Sequence, residues 1–269
     1  MIPQSEIQRM AARRLKQDTV IEKDYVITWV LLGLAQSTTK QPLAFKGGTA
    51  LKKCYLPDYR YSEDLDFTLI GKADDADLIN GFEDILQSLT KSQGFQFEIQ
   101  EGKVERRSDS LTFYIEYVGP LQATLGGRHI KVDITLVEQL EFPVLTKAIL
   151  SPYSDSPEHA ETLQVYSLEE VLTEKLCALI TRTEPRDLYD TDYLFQLGSV
   201  DHQAAAIAFP AKASFKNVDT QRLARTLIGK KPTFARLWEN RLAHQVDNLP
   251  DLDAIIRQVN RNFRKYDLI

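Results

Sequence analysis

The chain has 269 residues, a mass of 30.7 kDa and a formal net charge of −5, with 43% hydrophobic and 26% charged residues. This is the composition of a globular protein, and it excludes a disordered or collagen-like chain. The acidic total argues against a protein that coats nucleic acid by bulk charge.

The patterning of the first ninety residues predicts a helix followed by alternating strands and helices. The helix runs from Thr19 to Ala35, and its Thr19 and Glu22 have the spacing of a capping box. The elements expected after it are a strand over 43–46, a Gly-Gly turn, a helix starting at Thr49, a strand over 61–70 and a helix over 78–90.

The stretch from 95 to 140 is β-rich, and the pattern becomes helical after about residue 140. Gly126-Gly127 is typical of a hairpin turn, and residues 129–136 alternate strictly between apolar and polar. Ser167 is spaced to cap a helix, and Pro185 suits the first position of the next one. These patterns predict an α+β chain with an N-terminal helical segment (1–40), an α/β core (41–142) and a helical C-terminal domain (143–269).

Cysteine content and hydropathy indicate the compartment. Cys54 and Cys177 cannot form a disulfide framework, which favours a reducing environment. No apolar run approaches the roughly 20 residues of a membrane span, and the polar first residues show no secretory signal. We therefore expect a cytoplasmic protein with no membrane partner.

Charge is distributed unevenly along the chain. Residues 201–269 carry 12 Lys/Arg and 7 Asp/Glu, whereas residues 1–200 carry 21 and 31. The acidic part suits metal ions and the basic part suits a polyanion, although an uneven solvated surface explains the same numbers. The basic positions proposed to contact an RNA backbone are Lys212, Lys216, Arg222, Arg225, Lys230, Lys231 and Arg236.

Three aspartates lie on predicted strands. Asp64 and Asp66 project from one face of the strand over 61–70, and Asp133 lies on the polar face of the strand over 129–136. Carboxylates that converge repel one another unless a dication lies among them, and oxygen ligands of this kind suit Mg²⁺ or Mn²⁺. The alternative is that they are solvent-facing residues of amphipathic strands.

The glycine turn is a second candidate. Phe45-Lys46-Gly47-Gly48-Thr49 is predicted to run from strand through turn to helix start, where glycines allow close approach of a ligand and the first amides suit an anion. The spacing matches neither a Walker loop nor a dinucleotide fingerprint. An ordinary tight turn with a Thr N-cap remains the alternative.

The third candidate is a lysine on an apolar helix stripe. Lys175 falls among the buried positions of the helix after Ser167, with Arg182 seven residues later, so it requires either an anionic partner or an extended path to solvent. Asp187 and Asp190 share one face of the next helix and are candidate partners for Lys175, Arg182 or Lys23. Structural ion pairing accounts for the same residues.

A glycine turn at a helix start, then a strand with two aspartates, then a strand with a single aspartate is an order that resembles the DNA polymerase β-type nucleotidyltransferase fold. Together with segments before and after them, these motifs resemble the AbiEii/AbiGii-type nucleotidyltransferase toxins over residues 21–195. The matching segments are Ile21-Glu22-Lys23-Asp24-Tyr25, Phe45 to Leu51, Arg60 to Phe67, Lys131-Val132-Asp133-Ile134, and Glu174-Lys175-Leu176 with Arg182 and Arg186-Asp187-Leu188-Tyr189-Asp190.

The resemblance implies a metal-dependent nucleotidyltransferase, the toxin of a toxin–antitoxin pair, that moves NMP from an NTP to an RNA hydroxyl such as the tRNA acceptor end. It implies an antitoxin encoded nearby. It assigns Mg²⁺ or Mn²⁺ to Asp64, Asp66 and, least firmly, Asp133. The residues implied to bind nucleotide are Lys46, Gly47, Gly48, Thr49, Lys175 and Arg182, and Asp187 is implied as an essential neighbour of Lys175.

Two other functions stay open from the sequence. One is a nucleotide-binding or partner-binding module without catalysis. The other is transfer of a nucleotide or phosphate to a protein or a small molecule instead of RNA.

Overall fold

The computed structural model describes all 269 residues. They form two compact units. The first, called the sheet unit here, comprises Met1–Glu138 and Val144–Val165, and the second, the helical unit, comprises Gln139–Pro143 and Tyr166–Ile269. None of the helices has the length and apolar character needed to cross a bilayer.

The sheet unit contains four helices and eight strands. The helices are α1 (Gln4–Arg14), α2 (Asp18–Gln36), the short α3 (Gly47–Ala50), which continues as a π-helical turn (Leu51–Tyr55), and α4 (Asp75–Gln93). The strands are β1 (Leu43–Lys46), β2 (Asp64–Leu69), β3 (Gln96–Ile99), β4 (Glu105–Arg106), β5 (Ser110–Val118), β6 (His129–Thr135), β7 (Leu145–Ala148) and β8 (Thr162–Val165).

All eight strands belong to one mixed sheet. Its order is β3-β5-β6-β2-β1-β8-β7, and β4 extends it beside β5. The pairs β2–β6 and β1–β8 are parallel, and the other pairs are antiparallel. Because β2 lies between β1 and β6, the glycine turn that follows β1 and the aspartates of β2 and β6 lie on neighbouring strands.

One face of the sheet is the hydrophobic core. The alternation in β2, β5 and β6 places Leu65, Phe67, Phe113 and Val132 on this face, where all are buried. Phe82 of α4 contacts Phe67 and Phe113 edge to face, at centroid distances of 6.1 and 5.2 Å. The intervening polar side chains therefore project from the opposite face.

The helical unit contains α5 (Leu168–Thr181), α6 (Pro185–Gln196), α7 (His202–Phe215), α8 (Leu223–Leu242) and α9 (Leu252–Lys265). The Ser167 hydroxyl accepts a hydrogen bond from the Glu170 amide at 3.2 Å, so the predicted cap of α5 is present. Pro185 occupies the first turn of α6, as predicted.

The predicted α+β architecture is confirmed, but three details of it differ. The helix predicted to start at Thr49 begins at Gly47, so the two glycines lie in its first turn. The capping box at Thr19 is wrong, because α2 begins at Asp18 with no side-chain cap, and the Glu22 carboxylate instead pairs with Arg128 and accepts the Leu121 amide. The helical domain predicted to start at residue 143 differs from the observed division, since β7 and β8 belong to the sheet unit.

Candidate active site

A row of polar side chains crosses the sheet at the level of Asp66. Lys46 of β1 pairs in register with Asp66 of β2, Asp66 pairs with Asp133 of β6, and Asp133 pairs with Thr112 of β5. Residues directly opposite one another project from the same face, and neighbouring strands lie about 4.8 Å apart. Parallel pairing of β2 with β6 therefore makes Asp66 and Asp133 neighbours.

Asp64 lies one pleat further along the same face. It precedes Asp66 by two residues, both side chains are half-buried, and its register partner on β6 is Lys131. Lys131 in turn contacts the Asp133 carboxylate, with 2.5 Å between Nζ and Oδ2. All three predicted aspartates are thus brought to one face of the sheet.

Gly47 lies against the Asp66 carboxylate. Its φ is +76°, a conformation that residues with a Cβ rarely adopt. A Cβ built on Gly47 would also lie 2.4 Å from Asp66 Oδ2. The turn therefore requires glycine here for two reasons, and it holds its backbone against a predicted metal ligand.

Gly48 makes the same kind of contact with an arginine. A Cβ at this position would lie 2.5 Å from a terminal nitrogen of Arg60 and 3.3 Å from the Ser62 hydroxyl. Arg60 is buried and donates from Nη1 to the Tyr61 carbonyl at 3.1 Å. A guanidinium therefore lies directly beside the turn that was predicted to bind phosphates.

Thr49 and Lys46 flank the turn, and both are buried. The Thr49 hydroxyl donates to the Asp64 carbonyl at 2.5 Å, which ties α3 to β2. Lys46 Nζ donates to the Thr135 hydroxyl at 3.0 Å, across the row that contains Asp66. Both side chains hold the turn and the aspartate strands together.

Asp133 is engaged on both carboxylate oxygens. Thr112 donates to Oδ1 at 2.5 Å, and Lys131 lies at Oδ2. Burial lowers the pKa of Lys131, but the hydrogen bond and charge of Asp133 outweigh it and the net pKa is raised. Lys131 is therefore a cation held beside the three aspartates.

The donor set fits a hard divalent cation at Asp64 and Asp66. Their carboxylates project from the same face of one strand, and oxygen donors of this type are those that Mg²⁺ and Mn²⁺ prefer. No group of three Asp, Glu, His or Cys side chains closes on a common point in the structure. Asp64 and Asp66 are therefore the pair that would hold the ion.

A buried ion pair anchors the segment that follows the turn. Lys53, in the π-helical turn after α3, donates to Asp24 Oδ2 at 2.7 Å and to Thr28 at 2.8 Å, both in α2. Tyr153 donates to the same Asp24 oxygen at 2.6 Å. Burial raises the pKa of Asp24, but Lys53 and Lys52 outweigh it and the net pKa is lowered. This network fixes the turn segment onto α2.

Lys175 lies in a charge cluster inside the helical unit. It is buried, and its Nζ lies 2.9 Å from Asp187 Oδ1 and 2.7 Å from Asp190 Oδ2. Arg182, just past the end of α5, donates to Asp187 from Nε at 2.7 Å and from Nη2 at 3.0 Å. Asp187 and Asp190 thus supply the anionic partners that the sequence required, whereas Lys23 lies near Glu63, at 3.4 Å.

The electrostatics of Asp187 follow from this cluster. Burial alone raises the pKa of the Asp187 carboxyl, but Lys175 and Arg182 outweigh it, so the net pKa is lowered. Asp187 and Asp190 therefore hold Lys175 in place as ionised partners.

The predicted basic surface of the C-terminal part is smaller than expected. Lys212 is fully buried and pairs with Glu170 at 2.6 Å, because it lies on the face of α7 that packs within the unit. Lys230 donates to the carbonyls of Leu179, Ile180 and Arg182 at the end of α5. Neither ammonium group is presented as part of an exposed basic patch.

Three residues near the site, Arg60, Thr112 and Lys131, have no role in the sequence predictions. Arg60 and Lys131 lie within the family-like motifs, and the i, i+2 spacing of Lys131 and Asp133 places both on one strand face. Thr112 carried no signal, because its contact with Asp133 depends on the register of β5 against β6.

Known proteins share this fold. MenT4, a nucleotidyltransferase toxin from Mycobacterium tuberculosis H37Rv, superposes with a TM-score of 0.69 at 18% identity, covering 99% of this chain and 90% of that one. JHP933 from Helicobacter pylori superposes with a TM-score of 0.52 at 18% identity, covering 94% and 95%. No match was found among curated protein sequences.

A family model gives the assignment. The model described as "Nucleotidyl transferase AbiEii toxin, Type IV TA system" matches residues 29–264, which is most of the chain and includes the glycine turn, the three aspartates and the Lys175 cluster. The chain therefore belongs to the AbiEii family of nucleotidyltransferase toxins of type IV toxin–antitoxin systems.

Proposed function

We propose that this nucleotidyltransferase toxin moves NMP from an NTP to a hydroxyl of an RNA acceptor, the acceptor end of tRNA being the expected one. The observation that carries the proposal is the contact of the Gly47 backbone with the Asp66 carboxylate, with Asp64 and Asp133 on the same sheet face. A phosphate-binding turn and a metal-binding pair would then share one location.

In the proposed reaction, an acceptor hydroxyl oxygen forms a bond to the α-phosphorus of the NTP. The bond between the α-phosphorus and the bridging oxygen breaks, pyrophosphate leaves, and Asp133 takes the hydroxyl proton. Mg²⁺ or Mn²⁺, held by Asp64 and Asp66, supplies charge stabilisation when bound. Thr112 and Lys131 keep the Asp133 carboxylate oriented for proton removal.

The glycine turn would hold the phosphates. Gly47 and Gly48 leave no side chain between the backbone and a ligand, and Arg60 beside Gly48 supplies a fixed positive charge. Lys46, whose ammonium lies on the same face as Asp66, is the second cation of this site. Thr49 contributes by fixing the start of α3.

We assign Lys175 and Arg182 to nucleotide binding because both belong to the motif that resembles the family. Lys175 would contact the nucleotide, and Asp187 would act as its positioning residue, which its 2.9 Å contact supports. Lys175→Met should weaken NTP binding, measured by calorimetry. Lys265→Met, at an exposed lysine of α9, is the matched control and should leave the affinity unchanged. Unchanged NTP affinity in Lys175→Met would leave the cluster a purely structural ion pair.

The family assignment also implies an antitoxin partner. We propose that it is a separate protein encoded nearby, and that the reaction takes place in the cytoplasm, where NTP and tRNA are present. Co-expression of the neighbouring gene should restore growth of cells that express the toxin.

Label transfer tests the reaction. The protein is incubated with each α-labelled NTP, Mg²⁺ and total RNA, and label is expected in RNA. Asp66→Asn should lower the transfer at least 100-fold. Asp77→Asn, an exposed aspartate of α4, is the control and should leave it unchanged. Equal transfer by Asp66→Asn contradicts the proposal. MgNTP binding without transfer would indicate a binding module, and label in protein or a small molecule would identify a different acceptor.

A further inference from the structure

A groove lies on the sheet face beside Asp133. It has a volume of about 300 Å³ and is formed by residues of β4, β5 and β6 and the turn after β4. Asp133 and Thr112 belong to its wall, so the groove extends the row that starts at Lys46 and Asp66. It therefore begins where the acceptor hydroxyl would react and leads away from the glycine turn.

The groove carries two cations that solvent can reach. Lys131 pairs with Asp133, and Arg107 pairs with Glu105 at 3.0 Å, but their side chains remain 36% and 69% exposed. The Arg107–Glu105 pair is exposed and therefore weak, so the guanidinium remains available to a phosphate. The Lys131 ammonium has three N–H donors, so it can contact a phosphate while it keeps its contact with Asp133. Phosphate contacts position a nucleic acid strand without selecting its sequence.

Tyr114 supplies an aromatic ring in the same groove. It is half-buried on the polar face of β5, and its register partner is Lys131. His129 packs against it with 5.4 Å between centroids and an interplanar angle of 76°, which fixes the ring. Single-stranded nucleic acids are bound by such combinations of aromatic rings and cations on a sheet surface.

We propose that this groove binds the 3′ end of a single-stranded RNA acceptor, with a base stacked on Tyr114 and phosphates on Arg107 and Lys131. The identity of the reacting hydroxyl rests on the proposed function. Tyr114 shares a row with Lys131 and Asp64, so it lies two strands from Asp64, roughly 10 Å at the spacing of strands in a sheet. In the proposed arrangement, the terminal hydroxyl lies at Asp133, the lining residue next to Asp66.

Binding of a labelled RNA tests the groove without catalysis. The full chain is titrated into a 5′-fluorescein 12-nucleotide single-stranded RNA, and the affinity is read by anisotropy at several salt concentrations. Tyr114→Ala should weaken binding about 5- to 150-fold, the range for one stacked base. Tyr114→Phe keeps the ring and should bind as the wild type does.

Arginine variants test the phosphate contacts independently of the stacked base. Arg107→Ala should lower the slope of log affinity against log salt by about 0.7, since one phosphate contact is lost. Arg106→Ala, at the adjacent residue in β4, is the matched control, because Arg106 pairs in register with the buried Leu111 and lies 3.9 Å from Asp75 of α4, on the opposite face. It should leave both affinity and slope unchanged.

Three results would contradict the proposal that this groove binds RNA. They are equal RNA affinity of Tyr114→Ala and Tyr114→Phe, equal salt slopes of Arg107→Ala and Arg106→Ala, or a loss of MgNTP binding in Tyr114→Ala. If RNA binding depends on Tyr114 but no label is transferred, RNA binding in the groove is supported and the proposed nucleotide transfer is contradicted. If label is transferred and Tyr114→Ala has an unchanged KM for RNA, nucleotide transfer is supported and RNA binding in the groove is contradicted.

Discussion

Replacing Gly47 by alanine perturbs the backbone and a proposed metal ligand together. The φ of +76° is strained for any residue with a Cβ, by about 1–2 kcal/mol. The new Cβ would lie 2.4 Å from Asp66 Oδ2 and 3.1 Å from its Cγ, whereas ordinary contact begins at 3.4 Å. The carboxylate oxygen must therefore move by about 1 Å.

Gly94 separates these two effects. It has a φ of +78° at the C-terminus of α4, and a Cβ there would meet nothing within 4 Å. Gly94→Ala should therefore lose about 1–2 kcal/mol of unfolding free energy and keep full activity. Gly47→Ala adds an overpacking cost of about 1–3 kcal/mol.

The effect on activity should be larger than the effect on stability. Metal ligands tolerate displacements of about 0.2 Å, and a 1 Å misplacement at a reacting centre costs about 100-fold in rate. We expect Gly47→Ala to fold and to transfer nucleotide about 100-fold more slowly than the wild type. In an Asp66→Ala background the stability loss of Gly47→Ala should shrink, because only the contact to the Cβ of residue 66, at 3.2 Å, remains.

Urea unfolding and label transfer are measured on the wild type, Gly47→Ala and Gly94→Ala. Activity of Gly47→Ala within threefold of the wild type would refute the reasoning, since the Asp66 carboxylate would then tolerate the displacement. The same conclusion follows if Gly94→Ala loses as much activity as Gly47→Ala, because backbone strain alone would explain both.

Three further predictions concern buried groups. Asp187→Ala should lower the free energy of unfolding, measured in urea, by about 3–5 kcal/mol, because it removes one buried partner of Lys175. Because the pKa of Asp187 is lowered in the folded protein, the stability that this group contributes is present above about pH 4 and is lost as pH falls below it. Burial raises the pKa of Asp192 to about 6, because it disfavours the charged carboxylate. The stability of the folded protein that depends on a neutral Asp192 is therefore complete below about pH 4 and lost as pH rises through 6. The Tm of Asp192→Asn should not show this dependence on pH between about 4 and 6. Burial raises the pKa of the Cys54 thiol to about 12, so Ellman's reagent at pH 8 should label Cys54 only after unfolding, and rapid labelling of the native protein would contradict the structure.

Local patterns predicted much of the fold. The alternation in β2 and β6 separated Leu65 and Val132 from the aspartates because side chains alternate along any strand. The Ser167 cap and Pro185 were predictable because each acts within its own helix turn. The capping box at Thr19 failed because Glu22 is drawn to Arg128, which is distant in sequence.

Local patterns do not predict contacts between segments that are distant in the chain. No local pattern indicates that Lys212 is buried against Glu170, so its charge alone predicts a residue of a basic surface. Arg60 was visible in a motif, but its position against Gly48 depends on how the loop before β2 folds back on the turn.

Spacing within a few residues was enough to predict the residue types of the candidate site and the strands and turn that carry them. The order of the motifs along the chain was enough to indicate the family. Which groups meet depends on how these elements pack against one another. Asp66 and Asp133 become neighbours through the parallel pairing of β2 with β6, and Lys175 meets Asp187 through the packing of α5 on α6. Such contacts depend on register and packing between segments far apart in the chain, which no local pattern encodes.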